Sequence, residues 1–389
     1  MFPSLSIYFI SLFLIFWAYC GYLIVLHLFS LFGKTEDVNQ EIRNYPDISM
    51  LVPCYNEENL VSEKIENIKN LQYPKEKLNV FFLDGCSTDK TVQRINEKIK
   101  DIGNIKVIKT NCKGKINQIN YILPQLSSKI IINNDMDTIL NRDILIRMVK
   151  LFESDENISV VGAHVIPQNC MELEAQYWSD QNYIRILESK VHSSSIVIAP
   201  CYGFKRDLIE KFPEDCIADD IYISFLSNSV GKKSKYEQNA IAYETRTPSN
   251  IEDLLNHKFR KGNAYIIELL RFLYLLPKML PRWRLIYLTK FLQVVLIPWI
   301  IPFFILSSIS LLLSGIEYLK IVAFSFIFLL ISLLITRWFF SRGSMSNLNG
   351  GYKKRSLLTL FIITNFILLL NGLTYMFYNQ TSCYHKIKS

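Results

Sequence analysis

Apolar and polar positions divide the chain into a membrane-like start, an alternating middle and a membrane-like end. No Asp, Glu, Lys or Arg occurs in residues 1–33, and Lys34 is the first. That stretch exceeds the roughly 20 apolar residues needed to cross a bilayer. The middle reads differently. Short β-branched runs at 48–52, 79–83, 105–108, 130–133 and 158–165 alternate with helical patterns at 58–71, from Ser87-Thr88 onward, at 115–126 and at 142–153. Strands separated by helices of about 10–15 residues predict an α/β architecture, a mostly parallel sheet with helices on both faces. Beyond Asp220 the pattern turns helical, with amphipathic stretches at 251–262 and 264–280 that close on Pro281 and Arg282-Trp283-Arg284. Trp and Arg beside a span favour the membrane interface. Three further apolar runs follow at 292–313, 321–336 and 357–378. Lys320 and Arg337 flank the middle one, with stems long enough to place their charges among headgroups.

The expected organisation is an N-terminal transmembrane anchor over 1–33, a soluble α/β domain over 34–247, interface helices over 248–285, and three transmembrane helices with a short tail over 286–389. A cleaved signal peptide fits the start less well, because no basic residue precedes the apolar run and the run outlasts a usual h-region of about 7–15 residues. The loop between the last two runs carries Arg337, Arg342, Lys353, Lys354 and Arg355, against one Lys and one Glu in 314–320. The positive-inside rule puts the richer loop in the cytoplasm. Four spans then place the α/β domain there too, in a multi-pass protein of the cell membrane. The net charge of +8 over 389 residues gathers at loops and juxtamembrane stretches. It is suited to anionic membrane lipids, and no basic stripe interleaved with aromatics points to nucleic acid. Eight cysteines show no CxxC pattern, so neither zinc nor a disulfide framework is expected in a reducing compartment.

Candidate chemistry concentrates in acidic clusters. Asp84 and the Asp135-Met136-Asp137 segment each follow a predicted strand, and Asp219-Asp220 stands where the chain turns helical. Carboxylates at the C-terminal ends of parallel strands face the crevice where such sheets bind ligands. Converging hard oxygens suit Mg²⁺ or Mn²⁺, ions that neutralise phosphate charge. No GxGxxG follows the first strand, which excludes a dinucleotide-binding dehydrogenase.

In chain order the motifs are Pro53-Cys54-Tyr55-Asn56-Glu57, Asp84-Gly85-Cys86-Ser87-Thr88-Asp89, Gly114-Lys115 with Asn120, Asp135-Met136-Asp137, Asp219-Asp220 and His257-Lys258-Phe259-Arg260-Lys261-Gly262. This succession, over about 48–262, resembles the membrane-embedded family 2 glycosyltransferases, which include cellulose, hyaluronan and poly-N-acetylglucosamine synthases and ceramide glucosyltransferase. The resemblance implies a GT-A nucleotide-sugar-binding domain, a UDP-sugar donor, Mg²⁺ or Mn²⁺ as cofactor, and inversion at the anomeric carbon. It makes Tyr55, Glu57, Asp84, Lys115, Asp135 and Arg260 nucleotide-sugar contacts and Asp137 the metal ligand. Asp220 becomes the general base that takes the acceptor hydroxyl's proton. Gly203, Asp219 and His257 fall on the acceptor side, with Gly203 letting backbone approach a sugar. Two positions depart from the processive pattern: His257 stands where Gln or Arg is usual, and Lys261 replaces Trp. Processive polymerisation is therefore in question. A growing polysaccharide or other glycan and a lipid taking a single sugar both stay open as acceptors. From another class, a transport component with a dead catalytic domain is opposed by the intact acidic set.

Overall fold

The computed structural model describes residues 2–32, 41–248, 250–315, 317–343 and 357–377. Helix α1 (Phe2–Phe16) runs through a π-helical turn at Trp17–Gly21 into α2 (Tyr22–Leu31). The α/β region begins with β1 (Ile48–Cys54), α3 (Val61–Lys69), β2 (Leu78–Asp84), α4 (Thr91–Ile99), β3 (Ile105–Lys109) and α5 (Lys115–Ile122). Next come β4 (Ile130–Asn134), β5 (Thr138–Leu140), α6 (Ile144–Ser154), β6 (Ile158–Pro167), α7 (Glu172–Val191) and β7 (Cys201–Lys205). It closes with α8 (Asp219–Ser229), β8 (Lys233–Glu244) and α9 (Ile251–Phe272). Helix α10 (Pro281–Phe291) passes through a second π turn at Leu292–Leu296 into α11 (Ile297–Ser314), followed by α12 (Glu317–Gly343) and α13 (Leu357–Phe377).

One eight-stranded sheet has the order β3-β2-β1-β4-β7-β6-β8-β5. Pairing is parallel from β3 across to β4 and again between β6 and β8. Strand β7 runs antiparallel between β4 and β6, and β5 is antiparallel on β8. Period-two alternation builds two cores from single strands. Ile48, Met50 and Val52 of β1 join Ile65 of α3 and Met148 of α6 on one face, while Leu51 joins Ile119 of α5 and Ile223 of α8 on the other. Each such fully buried side chain contributes roughly 1.5–3 kcal/mol relative to exposure.

Several sequence expectations need correction. Helix α4 begins at Thr91 rather than at Ser87-Thr88; Lys90 holds the N-cap position, and the Asp89 carboxylate accepts from the Thr91 amide at 2.9 Å in the turn before it. The two amphipathic stretches join in one α-helix through Gly262 as far as Phe272, followed by a 3-10 segment at Leu273–Lys278; a Cβ at Gly262 would run into Asn371 of α13. Strand β8 was not expected. Its buried Ser234, Lys235 and Glu237 hide the apolar alternation, and its register against β6 shifts twice. Gly203, expected beside a sugar, lies inside β7, where a Cβ would stand 2.6 Å from Ile132 Cδ1 and 3.2 Å from Phe152. Its missing side chain makes room for the core.

Among the described residues, three helical stretches are long and apolar enough to cross a membrane: Ser4–Leu31, Pro281–Ser314 and Glu317–Thr336. The fourth expected span falls on α13, whose 21 residues from Leu357 to Phe377 carry no charge. Phe9, Phe13, Leu306, Phe324 and Leu330 point outward from these helices, as lipid-facing side chains do. The basic residues at 353–355 lie outside the described residues. The two π turns meet. Trp17 Nε1 donates to Thr289 Oγ1 at 3.3 Å, and the Gln293 amide donates to the Ala18 carbonyl that the first π turn frees. Below them Glu188 of α7, fully buried, accepts from Tyr22 Oη at 2.8 Å, pairs with Lys290 at 2.9 Å, and accepts from the Ser195 amide and hydroxyl at 2.9 and 2.6 Å. Those bonds fasten the α/β region to the apolar helices.

If Gly203 serves packing, Gly203→Ala should lower stability by about 1–3 kcal/mol through overpacking while leaving nucleotide affinity unchanged. Thermal unfolding and UDP titration read the two effects separately, and a selective loss of affinity would restore a ligand role.

Candidate active site

The ends of β1, β2 and β4 lie side by side, with Cys54 directly opposite Asp84 in the parallel register. Tyr55 follows β1, half-buried. Asp84 is buried at the end of β2, and its Oδ1 accepts from the Ser87 amide at 3.2 Å. Glu57 is clasped by Arg246, Nη1 to Oε1 at 3.2 Å and Nη2 to Oε2 at 2.6 Å. The same guanidinium reaches Asp137 Oδ2 at 3.7 Å. Thr245 donates to the Asp137 carbonyl from its amide at 3.0 Å and its hydroxyl at 2.8 Å. The end of β8 therefore holds the acidic turn from one side.

Lys64 of α3 holds it from beneath. Its buried ammonium donates to Asn134 Oδ1, to the Asp135 carbonyl at 2.8 Å and to the Thr138 carbonyl. Burial pulls this lysine down to about 8, against the pull of Cys201, Asp137 and Asp135. Asp137 is pushed above the ordinary carboxylate range by burial and by Asp135, with Arg246 opposing.

Lys115, the first residue of α5, joins this turn to the next carboxylates. Its ammonium sits 2.9 Å from Asp135 Oδ1 and 3.0 Å from Asp219 Oδ2. Burial pulls against its charge, but the two aspartates outweigh that and raise its pKa. Asp219 also accepts from Tyr202 Oη at 2.7 Å. Ala218 holds the N-cap position, so Asp219 and Asp220 occupy the first turn of α8, where the helix dipole favours negative charge. Asp220 Oδ2 accepts from the Ala199 amide at 3.0 Å. Ile198 just before it has φ 66°, a left-handed conformation that a β-branched residue adopts only under constraint. Burial and the charge of Asp219 push Asp220 up, while Lys115 and Lys261 pull it down.

A cavity of about 670 Å³ opens beside these groups. Lys115, Asp135, Asp219 and Asp220 line one part of it, and His257, Arg260 and Lys261 of α9 border it too. Tyr55, Glu57, Asp84 and Asp137 lie outside its lining, so the expected residues fall into a strand-end group and a cavity group joined at Asp135. Gly203 belongs to neither. Lys64 and Arg246 were missed by sequence reasoning. Each is an isolated basic residue whose partners lie far away in sequence, so no spacing marks it.

Residues 49–212 match the model for glycosyl transferase family 2. They form a family 2 glycosyltransferase domain. Two curated relatives illustrate its range. Beta-monoglucosyldiacylglycerol synthase of a Nostoc species is 29% identical over 38% of this chain and 32% of its own length. Poly-beta-1,6-N-acetyl-D-glucosamine synthase of Staphylococcus epidermidis is 23% identical over 69% of this chain and 66% of that protein. The chain thus spans about a third of the first of these relatives and about two thirds of the second. Among solved structures, a mannosyltransferase from Pyrobaculum calidifontis, in complex with GDP-Man and Mn²⁺, superposes with a TM-score of 0.67 at 20% identity, covering 96% of this chain and 98% of that one. The shared feature is the fold: the GT-A arrangement of a mixed sheet flanked by helices, here with apolar helices attached.

The Glu57–Arg246 pair makes a prediction about the glycosyltransferase domain. Arg246→Met removes the guanidinium that clasps a buried carboxylate and should lower stability by about 3–5 kcal/mol. Adding Glu57→Gln should recover most of that loss in thermal unfolding, and additive losses would show that the two side chains act separately.

Proposed function

We propose that this chain is a membrane-bound inverting glycosyltransferase, moving a sugar from a UDP-sugar to an acceptor hydroxyl. The observation that carries the reading is the single ammonium of Lys115 held between Asp135, on the strand-end side, and Asp219, next to Asp220 on the cavity side. A donor at the strand ends and an acceptor in the cavity would then meet at one point.

Tyr55, Asp84 and the Glu57–Arg246 pair border the space for the base and ribose. Lys115 and Arg260 bring positive charge toward the diphosphate. Asp220 receives the proton as the acceptor oxygen forms its bond to the anomeric carbon. The bond from that carbon to the UDP oxygen breaks on the opposite face and carries its electron pair away, which inverts the configuration. The Ala199 amide fixes one Asp220 oxygen and leaves the other for the hydroxyl.

A divalent cation fits the donor set. Asp135 and Asp137 offer hard oxygens, and their mutual repulsion contributes to the raised pKa of Asp137. Among the described residues no cluster of three His, Cys, Asp or Glu side chains surrounds them. Mg²⁺ commonly takes only one or two carboxylates and completes its shell with phosphate oxygens and water. When bound, the ion would neutralise diphosphate charge. The names of the relatives support both a lipid and a polysaccharide as acceptor. The apolar helices support attachment to a membrane, and the basic loop read from the sequence supports a cytoplasmic catalytic face.

Asp220→Asn should lower kcat by at least about 10²–10⁴ with UDP affinity retained, as measured on the purified full chain with labelled UDP-sugars. Full activity in that variant would remove the base. Because Asp220 works ionised and its pKa is raised, kcat/KM should be full at high pH. It should fall as pH drops through a value above the ordinary carboxylate pKa of about 3.9. Chelation of divalent ions should abolish transfer, and Mg²⁺ or Mn²⁺ should restore it; activity that survives chelation contradicts the metal assignment.

A further inference from the structure

The cavity beside Asp220 continues past the α/β domain into the apolar helices, and its two ends differ in chemistry. One end holds Lys115, Asp135, Asp219 and Asp220. The other is lined by Leu23 of α2, Leu333 of α12, and Phe361 and Leu368 of α13. The lining also includes His257 and Asn263 of α9 and Thr364 of α13. Among the described residues, both ring nitrogens of His257, both amide atoms of Asn263 and the Thr364 hydroxyl have no hydrogen-bond partner. His257 and Asn263 are more than nine-tenths buried. Buried polar groups in folded proteins are nearly always satisfied, so such a set calls for a ligand.

The character of these groups narrows that ligand. A buried imidazole surrounded by Lys261, Arg260 and Lys258 is held neutral, so one nitrogen donates and the other accepts. An amide and a hydroxyl have the same dual capacity. Neutral donor–acceptor groups match hydroxyls. Most of the cations along this lining are already engaged: Lys258 with Glu174 at 2.7 Å, Lys290 with Glu188 at 2.9 Å, Arg185 with Asn182 at 2.9 Å, and Lys261 over the Trp178 ring at 4.9 Å. On the membrane-helix side leucine and phenylalanine dominate, and the polar Thr336 and Asn365 among them are already bonded to Tyr19 and to their own helices, so a sugar's hydroxyls would lose water there with little replacement. Hydrocarbon pays no such penalty.

We propose that the acceptor is a membrane lipid with a neutral, hydroxyl-bearing head. Its hydroxyl reaches Asp220, its head meets His257, Asn263 and Thr364, and its hydrocarbon lies along Leu23, Leu333, Phe361 and Leu368. This rests on the glycosyl-transfer reading. The lipid oxygen bonds to the anomeric carbon, its proton passes to Asp220, and UDP leaves, so the product is a neutral glycolipid.

The test uses the full chain in phosphatidylcholine nanodiscs with labelled UDP-glucose and UDP-N-acetylglucosamine. Acceptors are a mixture of diacylglycerol, ceramide and a monoglycosyl lipid, or a soluble N-acetylglucosamine oligomer. Label should enter one organic-soluble species, and only when the lipid mixture is present. A water-soluble ladder, or UDP binding and donor turnover without any labelled lipid, overturns the lipid acceptor while leaving the transferase reading intact. Failure to bind UDP at all would sink the transferase reading itself. Leu333→Trp and Leu368→Trp should each raise the KM for the lipid about tenfold while the donor KM stays put. An unchanged lipid KM in both variants also overturns the proposal.

Discussion

One ammonium group holds the centre of this molecule together. Lys115 lies part-buried between Asp135 and Asp219, and the two carboxylates outweigh the cost of drawing its charge away from water. Asp135 ends a strand of the parallel half of the sheet, whereas Asp219 starts a helix on the same side as α5. Without a cation between them, these acids would repel each other across the gap. The position of Lys115 at the start of α5, just after Gly114 with φ 93°, lets the side chain reach both.

Two further buried charges fix the surroundings. Lys64 gathers three oxygens of the 134–138 turn without a carboxylate of its own, so its charge stiffens the turn through hydrogen bonds. Glu188 does the corresponding work on the membrane side, joining Tyr22 and Lys290 of the apolar helices to Ser195. Ser195 opens the short segment that ends at Ala199, whose amide fixes Asp220. Asp220 is thus tied through Glu188 to α2, which also contributes Leu23 to the cavity. Removing one member of such a buried network is expected to be far more damaging than removing a surface pair.

The parallel half of the sheet was legible because β1, β2 and β4 are nearly unbroken apolar runs bounded by turn residues, as buried parallel strands are. Strands β7 and β8 were not. Gly203 of β7 was placed on the acceptor side by the resemblance rather than read as part of a strand, and Lys233–Glu244 buries serine, lysine and glutamate that mimic a surface. Within the site, Asp84, Asp135, Asp137 and Asp220 announced themselves by their place at element ends. Arg246 did not, since its partner Glu57 stands 189 positions away and nothing local marks either as half of a pair. Local pattern reports what one segment buries, whereas a buried ion pair is a property of two segments at once.

The most direct measurement is a structure of the full chain in a nanodisc with Mn²⁺ and a non-hydrolysable UDP-sugar. The account predicts the ion beside Asp135 and Asp137, and the sugar's anomeric carbon facing Asp220 next to Lys115. A nucleotide bound away from Lys115, or an Asp220 carboxylate turned from the sugar with no route between them, would contradict it.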